Sequence, residues 1–189
     1  MQWFKAAEKF NEALASSAPT PGGGAAAAMT AAMGCSLSLM AAQTTALRKT
    51  TPSTIQAKLE QSIRKLHALN TQLNHLIQED SAAYTAYLVA KQLPKENPMR
   101  EANIQQALVY AAQVPTDTAT TAIQCLREID TFKQDIAPVI LSDIYCSQHL
   151  LKSALQCCIE NIRANTAFIT NETIVKKFNE QIESFLKFC

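Results

Sequence analysis

The run Pro19-Thr20-Pro21-Gly22-Gly23-Gly24, followed by Ala25-Ala26-Ala27-Ala28, constrains this chain more than any other feature. Three of its four glycines stand in that one loop, and the fourth, Gly34, follows ten residues later. The prolines stiffen the approach, the glycines strip the backbone bare, and the small-residue run opens a helix. No charged side chain occurs between Glu12 and Arg48, a span filled mostly by Ala, Ser, Thr, Met and Leu. A helix of that composition is apolar all round because other helices surround it. Its Ala, Ser and Gly34 faces let neighbouring backbones come close. The breaks and the modest hydrophobicity argue against a membrane span. Bare backbone at a helix N-terminus also suits a polar or anionic ligand. By itself the loop supports close packing and ligand binding equally.

A chain of 189 residues is expected to form one domain with a sizeable core. The net charge is +1 and the two signs are mixed along the chain, so no basic patch points to nucleic acid. Scarce glycine, with abundant Ala, Leu, Gln, Lys and Glu, predicts long helices and short connections. None of the six cysteines is spaced Cys-x-x-Cys, and Cys157-Cys158 are adjacent. With no secretory signal at Met1-Gln2-Trp3-Phe4-Lys5, reduced thiols in a cytoplasmic protein are expected. His67, His75 and His149 have no companions at ligand spacing, so no metal is expected.

The apolar periodicity reads as helix throughout. Trp3, Phe4, Ala7, Phe10 and Leu14 make a short amphipathic helix, and a second runs from about Gly24 to Leu47. A third starts near Ser53 with the stripe Leu59, Ile63, Leu66, Leu69, Leu73 and extends uninterrupted towards Leu93-Pro94. Asn97-Pro98 reads as a cap and first helical residue opening the next helix, and Val114-Pro115-Thr116 as a restart. A long segment from Val139 to about Ile169 and a last helix from Ile174 to Leu186 complete the chain. No window alternates with period two. The expected fold is an all-α single-domain bundle of about six to seven helices, with long central helices and no sheet.

Few residues stand out as chemistry. The glycine turn is not a P-loop, because no Gly-Lys-Ser/Thr follows, and no strand precedes it as a dinucleotide fingerprint requires. Asp80 lies mid-helix in an apolar and aromatic neighbourhood, where it either faces solvent or carries a raised pKa and does chemistry. The residues alone favour solvent. Asp143 is a similar acid near a helix start, equally readable as a dipole-favoured surface charge. Asn161 and Asn165 share a helix face, and Arg48 and Lys49 sit in a connection that exposes them.

In order, these pieces resemble the cyclodeaminase/cyclohydrolase family of folate one-carbon metabolism. Leu14-Ala15-Ser16-Ser17-Ala18-Pro19-Thr20-Pro21-Gly22-Gly23-Gly24 is similar to its leading motif, and Gln78-Glu79-Asp80-Ser81-Ala82-Ala83-Tyr84 to its acidic mid-helix motif. Leu93-Pro94-Lys95 with Ala107 to Pro115, and Ser142-Asp143 with Asn161-Ile162-Arg163-Ala164-Asn165, follow in the family's order. The resemblance implies an all-helical homodimer with a folate site built around the glycine turn. Its activity would be cyclodeamination of 5-formiminotetrahydrofolate to 5,10-methenyltetrahydrofolate with release of ammonia. The hydrolysis of methenyltetrahydrofolate is the alternative. No cofactor is implied beyond the tetrahydrofolate carrier itself.

In that reading Asp80 and Asp143 move protons. Pro21 and the Gly22, Gly23 and Gly24 amides hold the pterin or a carboxylate. Arg48 or Lys49 meets the glutamate tail, and Asn161 and Asn165 the pterin edge. The sequence departs from the family at Gln43, Leu47 and Thr51, which replace Asn, Gly and Tyr. Ile144, Tyr145 and Cys146 likewise stand where small residues including a Gly are usual. Bulkier side chains there would reshape or fill a pocket, which motivates a further alternative, a folate-binding or regulatory dimer without catalysis.

Overall fold

A computed structural model describes residues 2–189. Its helices are α1 (Gln2–Leu14), α2 (Gly23–Ala46), α3 (Ser53–Gln92), α4 (Arg100–Phe132), α5 (Leu141–Thr166) and α6 (Glu172–Leu186). Two 3-10 turns, Lys133–Asp135 and Pro138–Ile140, join α4 to α5, and no strand occurs among the described residues. The all-α expectation holds.

Helices α2 to α5 form an up-down-up-down bundle in which each packs on the next and α5 closes back on α2. Antiparallel order along α2 and α3 is fixed by Ser36 beside Asn70 and Ala25 beside Asp80. Leu59, Leu66, Leu73, Ile129, Phe132 and Leu151 are fully buried at its centre. Helix α2 also meets α4 across the diagonal, because a core helix built of alanine leaves room for two backbones to approach. At Gly34 the approach leaves no room for a side chain. An added Cβ would stand 3.0 Å from the Ser147 carbonyl oxygen and 2.9 Å from Leu151 Cγ. Ser147 donates its hydroxyl to the Gly34 carbonyl, which clips the two helices together. Helix α2 is long and apolar enough to cross a membrane by composition, yet most of it is buried inside the bundle. Helix α6 packs on α4 and α5, its start capped by the Asn171 side chain accepting from the Thr173 and Ile174 amides.

Two expected boundaries are corrected. Pro115 does not restart the chain, because α4 runs unbroken through it. Proline inside a helix removes one hydrogen bond and is tolerated when the freed carbonyl finds another donor. Nor does α4 begin at Pro98. Asn97 caps a turn by accepting from the Met99 amide, and the helix opens at Arg100.

Candidate functional site

At the end of the bundle where α2 begins, a cleft of about 350 Å³ is lined by the glycine turn, α3, α4, α5 and the segment after α5. Its floor follows from one contact. The Asp80 carboxylate, reaching across from α3, accepts a hydrogen bond from the Ala25 amide at 2.9 Å. Ala25 belongs to the first turn of α2, whose amides have no partner within the helix. A carboxylate there satisfies one of them and meets the positive end of the helix dipole. Gly24 makes the contact sterically possible, since a Cβ on it would fall 1.9 Å from Asp80 Oδ1.

Asp80 is half-buried rather than solvated, which corrects the expectation from the residues alone. Burial pushes its carboxyl above the ordinary carboxylate range, and the Ala25 N–H pulls it part of the way back. Among the described residues lining the cleft it is the one that carries a charge. Its neighbour Glu79 points the other way, accepting from the Tyr110 hydroxyl of α4 and lying 3.5 Å from His75 Nε2. The Glu79 contact and burial together push Tyr110 up to about 12.

The asparagines of α5 complete the polar wall. Asn161 donates its amide to the Cys157 carbonyl at 2.8 Å, and its amide group lies against Gly23, with Oδ1 3.3 Å and Nδ2 3.4 Å from where a Cβ would be. Asn165 donates to the Ala111 carbonyl of α4 at 2.8 Å. Cys158, behind this wall and fully buried, is held in its thiol form by that burial.

Gly22, Gly23, Gly24, Asp80, Asn161 and Asn165 therefore meet in one cleft, while Pro21 belongs to the turn without lining it. The other expected residues lie elsewhere in the chain. Arg48 and Lys49 are exposed past the far end of α2, about 36 Å from Gly24 at 1.5 Å per helical residue. Asp143 stands at the start of α5, about 27 Å along it from Asn161. The departures cluster at that far end too. Leu47 is 85% and Tyr145 52% exposed, Ile144 is buried in the core, and none of them lines the cleft. Gln43 pairs with His67, and Thr51 donates to the Thr45 carbonyl. Tyr145 thus does not obstruct the cleft of its own chain.

Sequence reasoning missed the apolar wall: Tyr84 and Tyr87 of α3, Leu108 and Ala111 of α4, and Phe168 after α5. A signal existed for the first pair. Tyr84 and Tyr87 follow Asp80 at i+4 and i+7 and so share its face. Among the described residues no group of three or more His, Cys, Asp or Glu is placed to hold a metal ion.

Such a cleft, with one carboxyl of raised pKa, amide groups and aromatic walls, suits proton transfer on a partly planar polar ligand. Known proteins agree with the fold and with the family resemblance. The chain is 30% identical over 187 residues to the methenyltetrahydrofolate cyclohydrolase of Methylorubrum extorquens, covering 95% of this chain and 88% of that protein. It is 29% identical over 171 residues to the formimidoyltransferase-cyclodeaminase of Rattus norvegicus, covering 88% of this chain but 31% of that longer protein. The crystal structure of formiminotetrahydrofolate cyclodeaminase from Thermotoga maritima superposes with a TM-score of 0.86 at 24% identity, over 96% of this chain and 88% of that one. Residues 6–184 match the formiminotransferase-cyclodeaminase family, and the chain belongs to that family.

Proposed function

We propose that this protein is an enzyme of folate one-carbon metabolism that cyclises 5-formiminotetrahydrofolate to 5,10-methenyltetrahydrofolate and releases ammonia. The observation that carries this is the Asp80 carboxyl, half-buried on the first turn of α2 inside the cleft. Ring closure requires a nitrogen to lose a proton as it attacks the formimino carbon, and the departing amine to gain one. A carboxyl whose pKa burial raises above the ordinary range is suited to take up one proton and give back the other. Asn161 Oδ1 and the Gly23 backbone orient the ring, and the aromatic wall excludes water. The reaction consists of proton transfers and bond exchange at one carbon, so no cofactor beyond the tetrahydrofolate carrier is required. The cytoplasm, where that carrier and reduced thiols coexist, is the proposed location.

The working unit is a homodimer. Met33, Met40 and Leu47 leave an apolar stripe exposed along α2. An uncovered stripe along a core helix suits a second copy of the chain. An antiparallel copy related by a two-fold axis would also bring Arg48, Lys49 and Asp143 of its own far end towards this cleft, where they would meet the glutamate tail and share the proton traffic.

Hydrolysis of methenyltetrahydrofolate is the second reading, favoured by the 30% identity with the Methylorubrum cyclohydrolase over nearly the whole chain. Purified protein given each substrate, with methenyl absorbance followed, separates the two: absorbance rises in cyclodeamination and falls in hydrolysis. Turnover lost in Asp80→Asn supports either enzyme. Micromolar folate binding without turnover would instead indicate a binding or regulatory dimer, and absence of binding would overturn the folate reading altogether.

A further inference from the structure

The mouth of the cleft carries an aromatic side chain that the fold takes trouble to hold in water. Phe168 is 68% exposed, although it stands next to the cap residue of α5, Ala167, and lines the cleft. Its backbone is not free to turn away. Gln105 of α4 donates its side-chain amide to the Phe168 carbonyl at 3.2 Å. The same side chain accepts from the Thr170 amide at 2.9 Å and from the Thr170 hydroxyl at 3.2 Å. One residue along, Ile169 is buried and donates its amide to the Thr166 carbonyl, pinning the other side. A single glutamine thus holds two positions of a short connection, Phe168 and Thr170, and the first of them carries an exposed phenyl ring.

The rest of the cleft explains what such a ring can do. Helices α3 and α5 occupy diagonal corners of the bundle, so Tyr84 of α3 and Phe168 come to the cleft from opposite corners. The polar groups of the same cleft, Asp80, Asn161 and Asn165, are each less exposed than either ring. A ligand with a flat conjugated body and a polar edge matches this layout, because ring faces attract one another in stacked geometry while the edge reaches the donors and acceptors.

We propose that Phe168 is the stacking platform for the planar ring system of the substrate, and that Gln105 is the positioning residue that holds it at the mouth of the cleft. The inference rests on the folate reading and deepens it by assigning the aromatic part of the ligand to a named wall. Phe168 contributes affinity for the ring and moves no proton, so its loss raises KM and leaves kcat close to wild type. Gln105 acts through Phe168 and has a smaller effect of the same kind.

The test is titration calorimetry of the full-length chain with 5-formyltetrahydrofolate, a stable folate, alongside steady-state kinetics. Phe168→Ala is expected to weaken binding about tenfold, the order seen when a stacking ring is removed. Phe168→Tyr restores it, while Phe168→Leu, apolar but not planar, does not. Gln105→Ala raises KM with kcat kept, and loses most of its effect in the Phe168→Ala background. Because Phe168 is exposed, all its variants keep the wild-type melting temperature. Wild-type binding with Phe168→Ala or Phe168→Leu within about twofold of it overturns the platform, leaving the folate reading intact. Failure of the wild-type protein to bind folate overturns both.

Discussion

Asn165 occupies the carbonyl that Pro115 sets free. Proline lacks the N–H that would bond four residues back, to Ala111, and the Asn165 side chain donates to the Ala111 oxygen at 2.8 Å. One contact therefore lets α4 pass a proline without breaking, ties α4 to α5, and fixes a residue in the wall of the cleft. Asn165→Ala leaves a backbone acceptor without its donor and is expected to destabilise by about 1–3 kcal/mol. In a Pro115→Ala background the helix supplies its own N–H, so the same substitution costs less. Denaturant melts of the four proteins form the double-mutant cycle that measures this coupling; additive effects would disprove it.

The glycines are expected to separate cleanly. Gly24→Ala places a methyl 1.9 Å from Asp80 Oδ1, so the carboxylate must leave the Ala25 amide. Its activity should fall about as far as that of Asp80→Asn, on the order of 10²–10⁴-fold for a lost acid–base group. Gly34→Ala meets the Ser147 backbone and Leu151 at the α2–α5 contact and should lower stability by about 1–3 kcal/mol. Gly22→Ala meets nothing nearer than the Pro19 carbonyl oxygen at 3.8 Å and should stay within about 0.5 kcal/mol of wild type. Thermal melts and turnover of the three variants check the order.

Asp80 predicts a pH signature. Its folded pKa lies above the ordinary value of 3.8, because burial disfavours the charge more than the Ala25 N–H favours it. The fold therefore prefers the protonated form. That stability is fully present below the unfolded pKa and is lost as pH rises through the folded one. Asp80→Asn never ionises and keeps an oxygen for the Ala25 amide, so it should gain on wild type as pH rises across that interval. Its residual activity should lack the limb of the pH–rate profile set by this carboxyl. Parallel melts and kinetics from acid to neutral pH measure both, and a stability difference moving the opposite way would contradict the assignment.

The exposed stripe on α2 gives a prediction about assembly. Met33 is 47% and Met40 37% exposed on a helix otherwise largely enclosed. Met33→Lys combined with Met40→Lys should yield a folded monomer by light scattering with unchanged helical circular dichroism. If Arg48, Lys49 and Asp143 serve a partner's cleft, that monomer also loses turnover. A dimer of unchanged mass would remove this face from the interface.

How far the sequence could be read depended on how local each feature was. The periodic stripe Leu59, Leu66 and Leu73 announced a long α3, and those residues are buried. The bare run after Gly22 announced a helix enclosed by others, as α2 is. Pro115 misled because its compensation comes from Asn165, fifty residues later, and no local pattern contains that donor. Phe168 was invisible for a related reason: beyond a helix end, spacing no longer tells which way a side chain faces.

The sequence by itself determined an all-helical chain, a glycine turn opening its central helix, and the family to which its ordered motifs belong. Helical periodicity and backbone freedom are properties of neighbouring residues, so they survive without a fold. Only the tertiary structure decided that Asp80 lodges on the first turn of α2, and that Asn161 and Asn165 join it while Arg48, Lys49 and Asp143 stand at the other end of the same helices. Antiparallel packing makes that division. It folds residues 55 positions apart into one hydrogen bond, and it keeps the two ends of α5 about 39 Å from each other. Gly24 must stay bare because a carboxylate from another helix lies against it.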